Sequence, residues 1–383
     1  MSSIWTTRAN IGLACARGLA PFALREAREG GWGVVAHDAS SVTVTGTLID
    51  AMRLNLTLRT VHRVLFPLFE AQAKNLDHLY RHASEVPWED WLEPDGYFCV
   101  TGVVKNDTVR DSRMPILRIK DAIADRMRAK CGSRPDSGRE RNGAAIFFIW
   151  HERSLRVFID TSGEPLSRRG YRLIPGDAPM QEPLAAACAM ATDWNEATPF
   201  ISPMCGSGTP AIEAAMIALH RAPGLTRKHF AFMSLRGYAE HGEPAWLAMR
   251  EEAARNETPL SKMPRIVATD ISRDAVRIAR ANAKAARVEQ FISFGICDFA
   301  DTAVPPGPAT IFMNPEYGER LGERESLKPL YRRVGAWLGD FTNRCHTAIL
   351  TASPMLAKET GLTPASLVPF FNGAIDCRLV RFS

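Results

Sequence analysis

The chain has 383 residues, 46% of them hydrophobic and 23% charged, and a net charge of +5 at pH 7. This composition fits a globular protein of two or three domains; it excludes a disordered or collagen-like chain, and no run of about eighteen apolar residues offers a membrane-spanning helix. The charge is compatible with a polyanionic partner without arguing one, and the eight cysteines form no CxxC or Cys/His ligand spacing, which speaks against a disulfide framework or a metal site and for a reducing, cytoplasmic setting.

The first segment, MSSIWTTRANIGLACARGLA, has no sustained apolar core of signal-peptide length, so no secretion is expected. From Asn10 to about Arg59, short β-like runs (Trp32–Val35, Ser41–Val44) alternate with helical ones (Pro21–Glu29, Leu48–Leu54), the pattern of a small α+β unit. The mixture continues from about Leu58 to Thr161. There, Gly96–Lys105, Ala144–Trp150 and Leu155–Asp160 read as strands, the last two joined by a hairpin turn over His151–Ser154. Pro115–Lys130 reads as a helix with the apolar stripe Ile116, Ile119, Ile123 and Met127; Arg118, Lys120, Arg126, Arg128 and Lys130 decorate it.

A polar stretch, Gly163–Pro179, separates this half from a different pattern. Thereafter strands at 197–201, 265–270, 291–298, 309–314 and 347–352 are spaced by helices, among them Ile212–Leu219, Ser272–Val288 and Ser326–Phe341. Strands alternating with helices mean a doubly wound α/β sheet with a parallel core. The terminal runs on either side of Asn372-Gly373 predict an antiparallel hairpin at its edge.

Ligands of such sheets bind at the carboxyl ends of the strands. The first end carries Gly206-Ser207-Gly208-Thr209, a turn that lets a ligand approach the backbone and leads into a helix N-terminus. The second ends on Asp270, which can accept from two ribose hydroxyls, with Ser272 the better placed helix cap. The third ends on Cys297-Asp298, whose carboxylate can accept from an adenine amino group. Each is weak alone, since a turn, a cap and a surface acid explain them as simply. Together they describe a nucleoside cofactor lying across the sheet. Ala211 stands where a third phosphate-binding glycine would be and no Walker lysine follows, which favours S-adenosylmethionine over a dinucleotide or ATP.

The fourth end is Asn314-Pro315-Glu316-Tyr317. An exocyclic nucleobase amine is a poor nucleophile because its lone pair is delocalised into the ring. The Asn314 side-chain oxygen and the Pro315 carbonyl, accepting from its two N–H bonds, would free that lone pair, and Tyr317 would stack on the base. A polar strand-to-loop turn is the plain alternative.

At these residues the chain resembles the THUMP-domain guanosine N2-methyltransferases that modify bacterial large-subunit ribosomal RNA and some transfer RNAs. The resemblance runs through RLNLTLRTVHRVL (Arg53–Leu65), VPWEDWL (Val86–Leu92), LRIKDAIADRMR (Leu117–Arg128), IDTSGEPLSRRGYR (Ile159–Arg172), APMQEPLAAAC (Ala178–Cys188), PMCGSGT, NPEYGERLGE and FFNGAIDCRLVRF (Phe370–Phe382). It implies a ferredoxin-like α+β domain over 1–57, a THUMP-like RNA-binding domain over 58–162, a linker over 163–179 and a Rossmann-like class I methyltransferase over 180–383. It further implies cofactor contacts at Gly206, Ser207, Gly208, Thr209, Asp270, Asp298 and Asn314, and catalytic roles for Asn314, Pro315 and Tyr317. Some relatives carry a second methyltransferase domain, and the paired activity that goes with it is expected to be missing here.

Two positions depart from the family pattern. Ser202 replaces an Asp that helps hold the charged amino-acid end of the cofactor, and Glu316 replaces a second Pro. Glu316 either accepts from the N1–H edge of guanine or is a solvated side chain on a loop. RNA is the implied partner, with Arg118, Lys120, Arg128, Arg168 and Arg169 as candidate phosphate contacts. A non-catalytic RNA-binding or ribosome-assembly factor on the same fold, and adenine N6 methylation of DNA, are the competing readings.

Overall fold

Burial alternates along β1 (Ala9–Ala14) and β3 (Ser41–Gly46), where Ile11, Leu13, Val42 and Val44 are fully buried while their neighbours are not, and the edge strand β2 (Val34–His37) is mostly exposed. This period of two is what a sheet with one covered face requires. The computed structural model describes residues 4–174, 180–318 and 321–382. The chain forms two units. The first comprises Met1–Cys15, Leu24–Leu166 and Arg227–Glu252, the second Ala16–Ala23, Ser167–Thr226 and Ala253–Ser383.

In the first unit, β4 (Arg63–Gln72), β5 (Tyr97–Lys105), β6 (Asp136–Gly138), β7 (Ala144–His151) and β8 (Ser154–Asp160) complete an eight-stranded sheet of order β2-β3-β1-β4-β8-β7-β5-β6. Most of its pairings are antiparallel; β5 runs parallel to both β6 and β7. The expected hairpin is present, with His151 opposite Ser154 and Glu152 at φ 52° in its tight turn. Helices α1 (Ala20–Glu29, begun in the second unit), α2 (Leu48–Thr57), α3 (Leu76–Glu85) and α4 (Arg113–Cys131) accompany the sheet. Thr47 and Asp50 form a capping box at α2, and Gly132, at φ 75°, ends α4. Pro115, Ile119, Ala122, Ile123 and Met127 are the buried face of α4, close to the stripe read from the sequence. Strand β4 escaped that reading. It carries Pro67, and its register shifts between Pro67 and Phe69, so a bulge interrupts the alternation.

The second unit holds β9 (Phe200–Pro203), β10 (Ile266–Asp270), β11 (Ile292–Ile296), β12 (Ala309–Met313), β13 (Cys345–Thr351), β14 (Pro364–Asn372) and β15 (Ile375–Phe382). Their order is β11-β10-β9-β12-β13-β15-β14. The first five strands are parallel, and β15 and β14 join antiparallel, as expected of a doubly wound sheet with a terminal hairpin. Asn372 pairs with Ile375, and Gly373 turns between them at φ 64°. The helices are α5 (Glu182–Ala191), α6 (Thr209–Ala218), α7 (Glu243–Arg255, begun in the first unit), α8 (Arg273–Ala285), α9 (Leu321–Gly339) and α10 (Pro354–Glu359). Tyr331, Val334 and Leu338 of α9 are fully buried with Ile201, Ile311, Met313 and Ile349 of the sheet. Among the described residues no helix is long and apolar enough to cross a membrane.

The strand order fixes where a ligand goes. From β9 the chain proceeds outward through β10 and β11, then returns to the other side of β9 as β12. The carboxyl ends of β9 and β12 therefore stand at the topological switch point, where the connections leave in opposite directions and a crevice opens. The Gly-rich turn follows β9, and Asn314 follows β12.

Candidate active site

The turn after β9 is built from backbone that few residues tolerate. Met204, Gly206 and Gly208 all have positive φ, at 53°, 53° and 82°. Cys205 N–H donates to the Thr269 carbonyl at 2.9 Å and Gly208 N–H to the Cys205 carbonyl at 2.8 Å, which ties the turn to β10 and onto itself. The two glycines differ. A Cβ on Gly208 would lie 2.8 Å from Ala279 Cβ on α8, whereas one on Gly206 would meet no atom within 4 Å. Gly208 thus serves close helix packing, and Gly206 leaves its side of the turn open to a ligand.

Asp270 closes β10 and accepts twice from the backbone: Gly206 N–H reaches its Oδ2 and Ser272 N–H its Oδ1, both at 2.9 Å. Ser272 caps α8 through its own hydroxyl, which accepts from Ala275 N–H at 3.2 Å. Asp270 is therefore shared between shaping the turn and accepting from a ligand; each oxygen keeps a further lone pair. Asp298 lies just beyond β11. The Ala300 amide and the Arg333 guanidinium, 3.0 and 2.9 Å from its Oδ1, hold its carboxyl below the usual range, so it remains an ionised acceptor. Ile271, 73% exposed, follows the first acid, and Ile296, 52% exposed, precedes the second by two positions. Apolar side chains left in water beside two acceptors suit a planar base with an attached sugar.

Asn314 is half-buried, and its Oδ1 is buried without a hydrogen-bond partner. Leaving such an acceptor unsatisfied costs about 1–3 kcal/mol, so it marks a place where a donor is supplied from outside. Pro315 is buried, Glu316 exposed and Tyr317 half-buried. Asn372 Nδ2 donates to the Tyr317 hydroxyl at 3.4 Å, which ties the aromatic ring to the terminal hairpin. Cys205 is no rival nucleophile: burial, aided by the Asp270 charge, pushes its thiol up.

The geometry can be set beside known proteins. Residues 169–381 match the family described as RMKL-like, methyltransferase domain. The chain belongs to this family. Residues 73–138 match the THUMP domain and 10–65 the RlmL ferredoxin-like domain. A relative named ribosomal RNA large subunit methyltransferase K/L, from Syntrophotalea carbinolica, is 35% identical over 375 residues, covering 96% of this chain and 52% of that protein. The chain thus spans about half the length of the curated relatives of that name that it matches. SMU.472, solved in complex with SAH, superposes with a TM-score of 0.87 at 27% identity, covering 100% of this chain and 98% of the other. A Listeria monocytogenes protein described as a predicted N6-adenine-specific DNA methylase gives 0.86 at 28% identity, covering 98% of this chain and 96% of that one. The methyltransferase family and the SAH-bound relative agree with S-adenosylmethionine as cofactor.

In this RMKL-like chain the expected phosphate contacts fare differently. Arg169 is 2% exposed; its Nε donates to Glu213 Oε1 at 2.8 Å and its Nη2 to Oε2 at 3.2 Å, while the Tyr171 hydroxyl donates to the same carboxylate at 2.9 Å. A cation so committed cannot meet a phosphate, and its assignment to RNA is corrected. With Arg169 and Tyr171 buried, part of the stretch expected to be a linker is built into the second unit; its last residues, 175–179, lie outside the described residues. Arg168 is exposed. On α4, Arg118 pairs with Asp77 at 2.8 Å, Lys120 donates to the Gly138 carbonyl at 3.0 Å and Arg126 grips Glu89 with two nitrogens. Arg128, 57% exposed, is only loosely paired with Asp125 at 3.6 Å.

Three residues of the site went unread in the sequence. Asn282 on α8 is 1% exposed; it donates to the Ser207 carbonyl at 3.1 Å and accepts from Leu173 N–H at 3.1 Å, holding the turn from below. Arg172 and Glu182 form an ion pair at 2.9 Å beside the same turn. For Asn282 the only signal was a polar residue on the apolar face of α8. For Arg172 and Glu182 there was none beyond the segments quoted for the family.

Proposed function

We propose that this protein transfers a methyl group from S-adenosylmethionine to the exocyclic N2 amine of a guanosine in structured RNA, with large-subunit ribosomal RNA as the substrate class. One atom carries the reading: Asn314 Oδ1, buried and unpartnered at the end of β12, across the switch point from the Gly-rich turn. The turn Gly206–Thr209 together with Asp270 and Asp298 would hold the cofactor. Bound there, it supplies a methyl group activated by a sulfonium. Asn314 Oδ1 accepts from one N–H of the target amine and the Pro315 carbonyl from the other, which localises the nitrogen lone pair for in-line attack. Tyr317, tethered through Asn372, offers its ring face to the extruded base. Glu316 is exposed next to these groups, where its carboxylate accepts from guanine N1–H and disfavours adenine.

The names of the curated relatives support ribosomal RNA, and the THUMP match supports RNA over the DNA substrate in the Listeria protein's description. The decisive experiment compares the full chain with Asn314→Ala on ribosomal RNA, transfer RNA and DNA, with mass spectrometry of the nucleosides. N2-methylguanosine in ribosomal RNA is expected. The variant should lose about a hundred- to a thousandfold in turnover, the scale of losing one positioned polar group at a reacting centre. Undiminished activity in the variant, or N6-methyladenine in DNA as the product, would refute the reading.

A further inference from the structure

The strand-end acids account for the nucleoside part of the donor and leave its other end unassigned. That end is a zwitterion, with an ammonium and a carboxylate on one carbon. β9 itself ends on Ser202-Pro203 and offers no charge. A charged pair nevertheless stands at the turn. Arg172 Nε donates to Glu182 Oε1 at 2.9 Å, its Nη1 to Ser207 Oγ at 3.3 Å and its Nη2 to Thr209 Oγ1 at 3.1 Å and to the Met180 carbonyl at 2.7 Å. The side chains are 16% and 7% exposed, so both charges have been drawn largely out of water.

Desolvating an ion pair is costly and is weak evidence for a stabilising role. Here the geometry supplies another use. The guanidinium spans the first residues of α6 and the hydroxyl side chains of the turn, and it has one more N–H on Nη1 than the contacts above employ. Among the described residues Glu182 Oε2 has no second donor. A carboxylate acceptor and a guanidinium donor side by side match an amino acid's ammonium and carboxylate.

Resting on the donor assignment above, we propose that Arg172 and Glu182 form the receptor for the donor's amino-acid end, Glu182 accepting from the ammonium and Arg172 donating to the carboxylate. Ser202 then needs no charge, because the acid that faces the ammonium comes from the start of α5 instead of the end of β9.

The test uses calorimetric titration of the full chain with two ligands. S-adenosylhomocysteine keeps the amino-acid end; 5′-methylthioadenosine lacks it and keeps the nucleoside. Glu182→Gln preserves shape and removes the charge, and Arg172→Lys keeps the charge and removes the fork. Each variant should weaken S-adenosylhomocysteine by about tenfold or more, the loss typical of a charge-assisted hydrogen bond, while 5′-methylthioadenosine binds as it does to the parent chain. Parallel weakening of both ligands would show the pair to be structural and overturn the proposal, as would no change in either. If the parent chain binds 5′-methylthioadenosine and S-adenosylhomocysteine equally well, the amino-acid end has no receptor and the proposal falls alone. If it binds neither, the donor assignment falls first.

Discussion

At the scale of single residues, the two glycines of the turn separate folding from binding. Gly208→Ala places a methyl 2.8 Å from Ala279 Cβ and 3.1 Å from its Cα, and α8 cannot retreat without moving its own core. Strain of about 1–2 kcal/mol from the left-handed backbone adds to an overpacking cost of about 1–3 kcal/mol. Gly206→Ala meets nothing within 4 Å and incurs only the backbone strain of about 1–2 kcal/mol. Urea unfolding should therefore rank Gly208→Ala well below Gly206→Ala in stability. Titration with S-adenosylhomocysteine should show Gly206→Ala weakened by about tenfold or more, since its methyl occupies the ligand's approach. A Gly206→Ala chain that binds as the parent does would remove the turn from the cofactor site. The same contrast shows what the sequence could convey. Two glycines with one residue between them announced a turn, but which of them faces a ligand depends on Ala279, seventy-one positions from Gly208 and visible only once α8 is packed.

At the scale of elements, the parallel core was legible because its strands are short apolar runs spaced by helical patterns. Strand ends followed from those runs, so Asp270 and Asn314 could be placed in advance. The segment between the two patterns was not. Its string Ser167-Arg168-Arg169-Gly170-Tyr171-Arg172 looks like solvated cations, and the partner of Arg169 is Glu213, 44 residues on, inside an Ala-rich helix that gives no sign of needing a charge. Burial of both partners makes that pair a latch between the segment and α6. Glu213→Ala would remove the carboxylate that compensates the buried Arg169 charge, at a cost of about 3–5 kcal/mol. The double replacement Arg169→Met with Glu213→Leu should recover part of it, because apolar groups of similar volume avoid the desolvation penalty while the buried Tyr171 hydroxyl loses its acceptor. Chemical unfolding of the three chains measures this. Equal stability of Glu213→Ala and the parent would mean that the pair is open to water.

At the scale of the whole molecule, net charge bears on the RNA partner. A charge of +5 over 383 residues is small, and α4 spends most of its cations on the protein itself: Arg118 on Asp77, Lys120 on the Gly138 carbonyl, Arg126 on Glu89. The sequence displayed these side chains as one basic helix, because the carboxylates and the carbonyl that engage them lie 18 to 41 residues away on other elements. Arg128 is not committed in this way: it is exposed and held only at 3.6 Å by Asp125 one turn earlier. If α4 faces RNA, Arg128→Ala should weaken binding by a similar factor for every sequence tested. It should also lower the slope of log affinity against log salt by about 0.7 for a single strand or about 0.9 for a duplex, the share of one phosphate contact. Arg169→Met with Glu213→Leu, which alters only buried charge, should leave that slope where it was. Titrations of fluorescent ribosomal RNA fragments from about 50 to 200 mM salt span the range over which counterion release is strong. An unchanged slope for Arg128→Ala would take α4 out of the RNA interface and leave the phosphate contacts to Arg168 of the second unit and to other cations of the first.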